Sequence, residues 1–224
     1  MINFKIILNV LGYLLVALSI LLIIPILIDL ISGNDSWKSF LISLIITFGF
    51  GVTFLLSTRN ELKNKILTQD AFLITTLSWI FISVFGALPF FFSDSSLSLT
   101  NSIFESMSGI TTTGSTIFNK VENLPQGILI WRSILQWVGG VGIIVMAVSI
   151  LPVLQVGGMQ VFRTESSDTT DKILPRTTQI ASAVILIYII LTVTCLIAYW
   201  VLSLIHISEP TRPLYISYAV FCLK

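Results

Sequence analysis

Thr111, Thr112, Thr113, Gly114, Ser115 and Thr116 form one uninterrupted run. Backbone carbonyls and threonine hydroxyls are hard oxygen ligands that can replace the water around an alkali cation. The run has poor helix propensity, and its glycine can adopt backbone angles closed to other residues. Composition alone also allows an ordinary extracellular turn here. What lies on either side decides between the two.

Just before the run, Ser102 is followed three residues later by Glu105 in the spacing of a capping box. Ile103, Phe104, Met107 and Ile110 repeat behind it at helical intervals. The spacing predicts a short helix over 101–110, reaching about 15 Å, or half of a hydrocarbon core about 30 Å thick. Such a helix dips in and stops midway, and the chain after it returns outward in extended form. Non-helical backbone at membrane depth is tolerated only where protein covers it or where it lines a water-filled cavity. A cation would serve the exposed carbonyls, and the C-terminal end of the short helix adds a negative dipole beside them. That chemistry is an ion filter. Glu105 reads primarily as the cap of this helix and secondarily as an ion-attracting carboxylate.

The elements around the segment are membrane spans. Hydrophobic residues make up 55% of the 224-residue chain and charged residues 10%, and the mean hydropathy is +0.98, outside the balance of soluble domains. Five apolar runs, 4–31, 37–57, 71–92, 127–154 and 177–201, are each about as long as a spanning helix needs to be. The re-entrant segment lies between the third and the fourth. The first run is too long for a signal-peptide core, and no small-x-small cleavage site follows it. Lys5, Arg59, Lys63, Lys65, Arg163, Lys172 and Arg176 collect on one side, against Lys38, Lys120 and Arg132 on the other, which predicts a cytoplasmic N-terminus.

A net charge of +1 without a basic block excludes nucleic acid as a partner. None of the spans holds the acids, histidines or nucleophile pair that an intramembrane enzyme requires. Pro25 and Pro89 are expected to kink their helices. Arg132 is expected to snorkel to the interface rather than pair with an acid. Gly139, Gly140 and Gly142 are read as ordinary small-residue helix packing in preference to a close approach to the pore segment. Cys195 is read as a small buried hydrophobe, and no cofactor or metal cluster is expected.

Taken together, Ser-Gly-Ile-Thr-Thr-Thr-Gly-Ser-Thr at 108–116 and the glycine-containing stretch 136–152 resemble the Trk/Ktr/HKT superfamily of potassium transporters, and within it the TrkH type. The resemblance extends from residue 1 to about 201, through Gly-Gly-Met-Gln-Val-Phe-Arg at 157–163 and Asp-Lys-Ile-Leu-Pro-Arg at 171–176. It implies an all-α integral membrane fold built from four pore-loop repeats, each a helix, a half-spanning pore helix with a filter strand, and a second helix. On that pattern, 1–57 is an N-terminal two-helix extension, 71–154 the first complete repeat with its pore helix and filter at 101–116, 155–176 a cytoplasmic linker, and 177–201 the opening helix of the second repeat. The resemblance makes Gly114 the central filter residue, with Thr112 and Thr113 supplying carbonyls to potassium and with Thr111 and Ser115 flanking them. It further implies a bacterial inner-membrane location, a homodimer, and a cytosolic nucleotide-binding regulatory subunit. Potassium is then the transported substrate rather than a cofactor.

Residues 202–224 break the pattern with charge and two prolines. Their first part, 202–212, resembles a translated sequencing-library adapter, 213–215 a barcode, and 216–224 the primer that follows it. This tail, which holds His206 and Cys222, is expected to be non-native. Two other readings stay open at this level: a homotetrameric channel with one pore loop per chain, and a non-conducting membrane fragment.

Overall fold

In lipid a helix gains little from hiding apolar surface, so shape complementarity and internal polar contacts must hold its neighbours together. The computed structural model describes residues 3–58, 68–93, 97–118, 121, 124–150 and 173–206, the side chains of 68, 145–150, 173–181 and 202–206 excepted. Its helices are α1 (Phe4–Leu21), α2 (Ile23–Ser32), α3 (Trp37–Thr58), α4 (Thr68–Gly86), α5 (Leu88–Phe92), α6 (Leu99–Ile110), α7 (Gln126–Ile150) and α8 (Ile173–His206). Among the described residues, five stretches are long and apolar enough to cross a membrane: Phe4–Ser32, Trp37–Thr58, Gln69–Phe92, Gln126–Ile144 and Ser182–Val201. The protein is an all-α integral membrane protein, as its apolar runs predict.

Two of these spans break at proline. Pro25 has no N–H to offer the Leu21 carbonyl, and the helix divides at Leu22 into α1 and α2. The turn is bridged by bonds from Leu22 N to the Leu18 carbonyl at 3.2 Å and from Ile26 N to the Leu22 carbonyl at 3.4 Å. Pro89 divides α4 from α5 in the same way at Ala87. The Gly86 carbonyl, in that broken turn, accepts a hydrogen bond from Trp131 Nε1 at 2.9 Å. The second kink therefore has a structural use: α7 reads a carbonyl at the end of α4.

Residues 1–146 and 147–224 form two separate compact units. In the first, α1 packs along α3 and α4, α2 along α3, α3 on α5, and α4 on α6. Glycines bring α1 and α3 together: a Cβ on Gly12 would sit 3.1 Å from the Gly51 carbonyl, and one on Gly51 would sit 2.9 Å from Val16 Cγ2. Asn9 Nδ2 donates to Thr58 Oγ1 at 2.8 Å across the same seam. Ser43 and Thr47 on α3 donate to carbonyls four residues back, both at 2.7 Å, which disposes of hydroxyls buried in an apolar interior. Leu18, Leu22, Ile26, Phe40, Phe90, Ile110, Ile128, Trp131 and Leu135 make the core. In it Phe40 meets Trp131 edge-on at 6.5 Å.

Asp29 is the single acid in its apolar run and is fully buried. Its Oδ1 accepts from Gly127 N at 2.8 Å. Gly127 is the second residue of α7, whose preceding Pro125 has no side chain able to cap it. The α2 carboxylate thus does for α7 what a cap residue does within one helix, and the positive end of the helix dipole offsets its charge. A Cβ at 127 would run into the carboxylate, so the contact needs glycine. Beside it Ser32 Oγ donates to Gln126 Oε1 at 2.6 Å. The helix α2 is in this way fastened to the start of α7.

The second unit contributes α8, one 34-residue helix that continues past residue 201, where the sequence reading ends it, to His206. The Ser182–Val201 span is unburied throughout, and Cys195 on it is exposed rather than buried as expected. The linker residues 155–172, the tail residues 207–224, and Arg59, Lys63, Lys65, Lys120, Arg163 and Lys172 lie outside the described residues.

Candidate ion-filter site

The short helix α6 starts two residues earlier than its capping-box spacing predicts. Ser98, not Ser102, is its cap: the Ser98 side chain accepts from Asn101 N at 3.3 Å. Ser102 lies inside the helix and is fully buried. At 12 residues α6 is about 18 Å long, a little over half of the hydrocarbon core.

Its end is built from the candidate filter residues themselves. Thr112 N donates to the Gly109 carbonyl and Thr113 N to the Ser108 carbonyl, both at 3.0 Å. With Thr112 at φ +57° this is a Schellman closure. Glycine ordinarily occupies that left-handed position. A β-branched threonine there is under local strain, of the kind that accumulates at functional backbone. Thr111 Oγ1 donates to the Met107 carbonyl at 2.7 Å and shares a hydrogen bond with Thr113 Oγ1 at 2.8 Å.

Gly114 follows at φ +79°. Positive φ at 112 and again at 114 breaks the ordinary strand pattern, in which successive residues face opposite sides. From Thr112 to Thr116 the segment is exposed, and nothing lies within 4 Å of a Cβ placed on Gly114. Among the described residues, the carbonyls of Thr112, Thr113 and Gly114 accept no hydrogen bond. The Ser115 carbonyl differs from them, because it accepts from Ser108 Oγ at 2.6 Å.

The returning segment is then tied back to α6 by the residue assigned to capping. Glu105 is 2% exposed. Its carboxylate accepts from Thr116 Oγ1 at 3.1 and 3.2 Å and from Ile117 N at 3.0 Å. Arg132 Nε of α7 donates to the same carboxylate at 2.6 Å. Arg132 therefore does not snorkel: its side chain is 16% exposed and engaged in a buried ion pair. The capping assignment fails because Ser98 already begins the helix, leaving Glu105 in its second turn, facing inward.

Gly139 also departs from the packing reading. A Cβ there would land on the carbonyl of Ile110, the last residue of α6, so α7 touches α6 backbone to backbone at this point. Gly142 has nothing within 4 Å.

Comparison with known proteins places this chain in a family. The family described as TrkH, cation transport protein, matches residues 36–212, running past residue 201, where the sequence reading ends the resemblance. The chain is 44% identical over 200 residues to a Trk system potassium uptake protein TrkH of Halomonas elongata, covering 88% of this chain and 41% of that protein. With the protein of the same name from Escherichia coli K12 it shares 40% over 201 residues, covering 88% and 41%. Among solved structures, the crystal structure of the potassium transporter TrkH from Vibrio parahaemolyticus matches with a TM-score of 0.73 at 35% identity, over 89% of this chain and 40% of that one. The chain thus spans about two fifths of the length of the curated relatives it matches.

Proposed function

This chain belongs to the TrkH family of cation transport proteins, and we propose that it supplies one of four filter segments to a channel-like potassium-uptake pore. The carbonyls of Thr112, Thr113 and Gly114 contact the ion, with Thr111 and Ser115 flanking them. The observation that carries this reading is the set of three consecutive carbonyls without a hydrogen-bond donor among the described residues, held between a closed helix end and an anchored return strand. Backbone oxygens left so at membrane depth need a partner, and a partly dehydrated cation is the partner that fits them.

The name of the Halomonas relative, a potassium uptake protein, makes potassium the ion of choice. The membrane potential drives it inward with about 2.3 kcal/mol per charge per 100 mV. The N-terminus is cytoplasmic, the remaining filter segments come from further repeats of a longer protein, and that protein pairs as a homodimer with a cytosolic nucleotide-binding regulatory subunit.

The test is growth at limiting potassium of cells without uptake systems of their own. The full-length protein carrying this segment is expected to restore growth, and the 224-residue chain alone is not. Rescue by the short chain would favour instead a channel assembled from single-loop copies.

A further inference from the structure

The proposed filter leaves one feature unused: the buried carboxylate on which three elements converge. Glu105 belongs to α6, Thr116 and Ile117 to the returning strand, and Arg132 to α7. A charge taken out of water is costly unless it is paired and its lone pairs are filled. Here both oxygens of Glu105 are engaged, one by Arg132 and Thr116, the other by Thr116 and Ile117. The guanidinium of Arg132 also lies 6.0 Å over the Phe118 ring, the next residue along the strand.

The place of these bonds along the chain gives them their meaning. Before the open carbonyls the backbone is fixed by Thr112 N on the Gly109 carbonyl, and the peptide that carries the first of them is fixed by Thr113 N on the Ser108 carbonyl. After them it is fixed by the Ser115 carbonyl on Ser108 Oγ and by Thr116 and Ile117 on Glu105. Only a few peptide units lie between the two anchors, so the far anchor sets how far the carbonyls of Thr112 to Gly114 can approach an ion. Glu105 does not face that opening: it is buried, whereas Gly114 looks onto open space.

We propose that Glu105 is a positioning residue for ion discrimination, holding the return strand against α7 through Arg132 so that the filter carbonyls keep the spacing a potassium ion requires. The inference rests on the filter reading above. It differs from an ion-attracting role, in which removing the charge would weaken all monovalent cations alike. It differs also from a purely structural role, in which the amount of folded protein would fall and the preference among ions would stay.

The experiment measures uptake of rubidium, as a potassium tracer, by cells carrying the full-length protein, with potassium or sodium as competitor and with membrane protein quantified in parallel. Glu105→Gln is expected to lower the potassium-over-sodium preference about tenfold, the scale of one lost charge-assisted hydrogen bond. Glu105→Asp, which keeps the charge on a shorter arm, should recover part of it. Because Glu105→Gln leaves Arg132 buried and uncompensated, Thr116→Val serves as the second variant. It removes the hydroxyl's bonds to Glu105 and from Phe118 N and keeps the ion pair, and it should shift the preference in the same direction at normal protein amounts.

An unchanged preference in Thr116→Val overturns the proposal, as does a uniform loss for both ions. A wild-type protein that shows no preference for potassium would instead overturn the filter reading itself.

Discussion

Replacing Gly114 with valine is expected to abolish potassium uptake by the full-length protein while leaving the protein in the membrane at near-normal amount. The two halves of this result follow from different facts. Gly114 sits at φ +79°, where a side chain strains the backbone by about 1–2 kcal/mol, and more for a β-branched residue. Relief of that strain would turn the adjoining peptides and with them the proposed ligand oxygens. Yet no atom lies within 4 Å of a Cβ at this position, so the helices have no reason to come apart. Rubidium uptake in the valine variant should fall well over tenfold at matched protein amounts, with alanine intermediate. Normal uptake by the valine variant would remove Gly114 from the site.

Gly139→Val should give the opposite signature, a loss of folded protein. The added Cβ would occupy the position of the Ile110 carbonyl oxygen. Backbone cannot yield there as a flexible side chain can, so α7 would have to move away from α6. That shift would stretch the bond from Trp131 to the Gly86 carbonyl and the pair between Arg132 and Glu105, both made by the same helix. Overpacking costs about 1–3 kcal/mol, and weakening a buried ion pair adds to it. Thermal unfolding in detergent should show a clearly lower midpoint and reduced yield, whereas Gly142→Ala, with open space around it, should be near neutral. A Gly139→Val protein as stable as the parent would mean that α6 and α7 do not meet as described.

The spans were legible because lipid thickness imposes a length, and an apolar run of that length admits few other readings. The short helix and its end were legible from a helix-forming stretch too short to cross, followed by residues that cannot continue it. Which serine caps it was not, since Ser98 and Ser102 are both plausible caps and only the inward orientation of Glu105 separates them. Glu105–Arg132 and Asp29–Gly127 join residues far apart in the chain, and no periodicity reports such a pairing. One signal was there for Asp29: a lone acid inside an apolar run must find a partner or leave the membrane. The positive φ of Thr112 gave no sign at all, because threonine is a poor choice for it and the helix closure imposes it.

In the proposed filter a potassium ion is held by the carbonyls of Thr112, Thr113 and Gly114. Anomalous diffraction from crystals of the full-length protein grown in rubidium tests it directly. An anomalous peak is expected within coordination distance of those three oxygens, lost in Gly114→Val. Rubidium bound in the pore but away from residues 112–114 would contradict it.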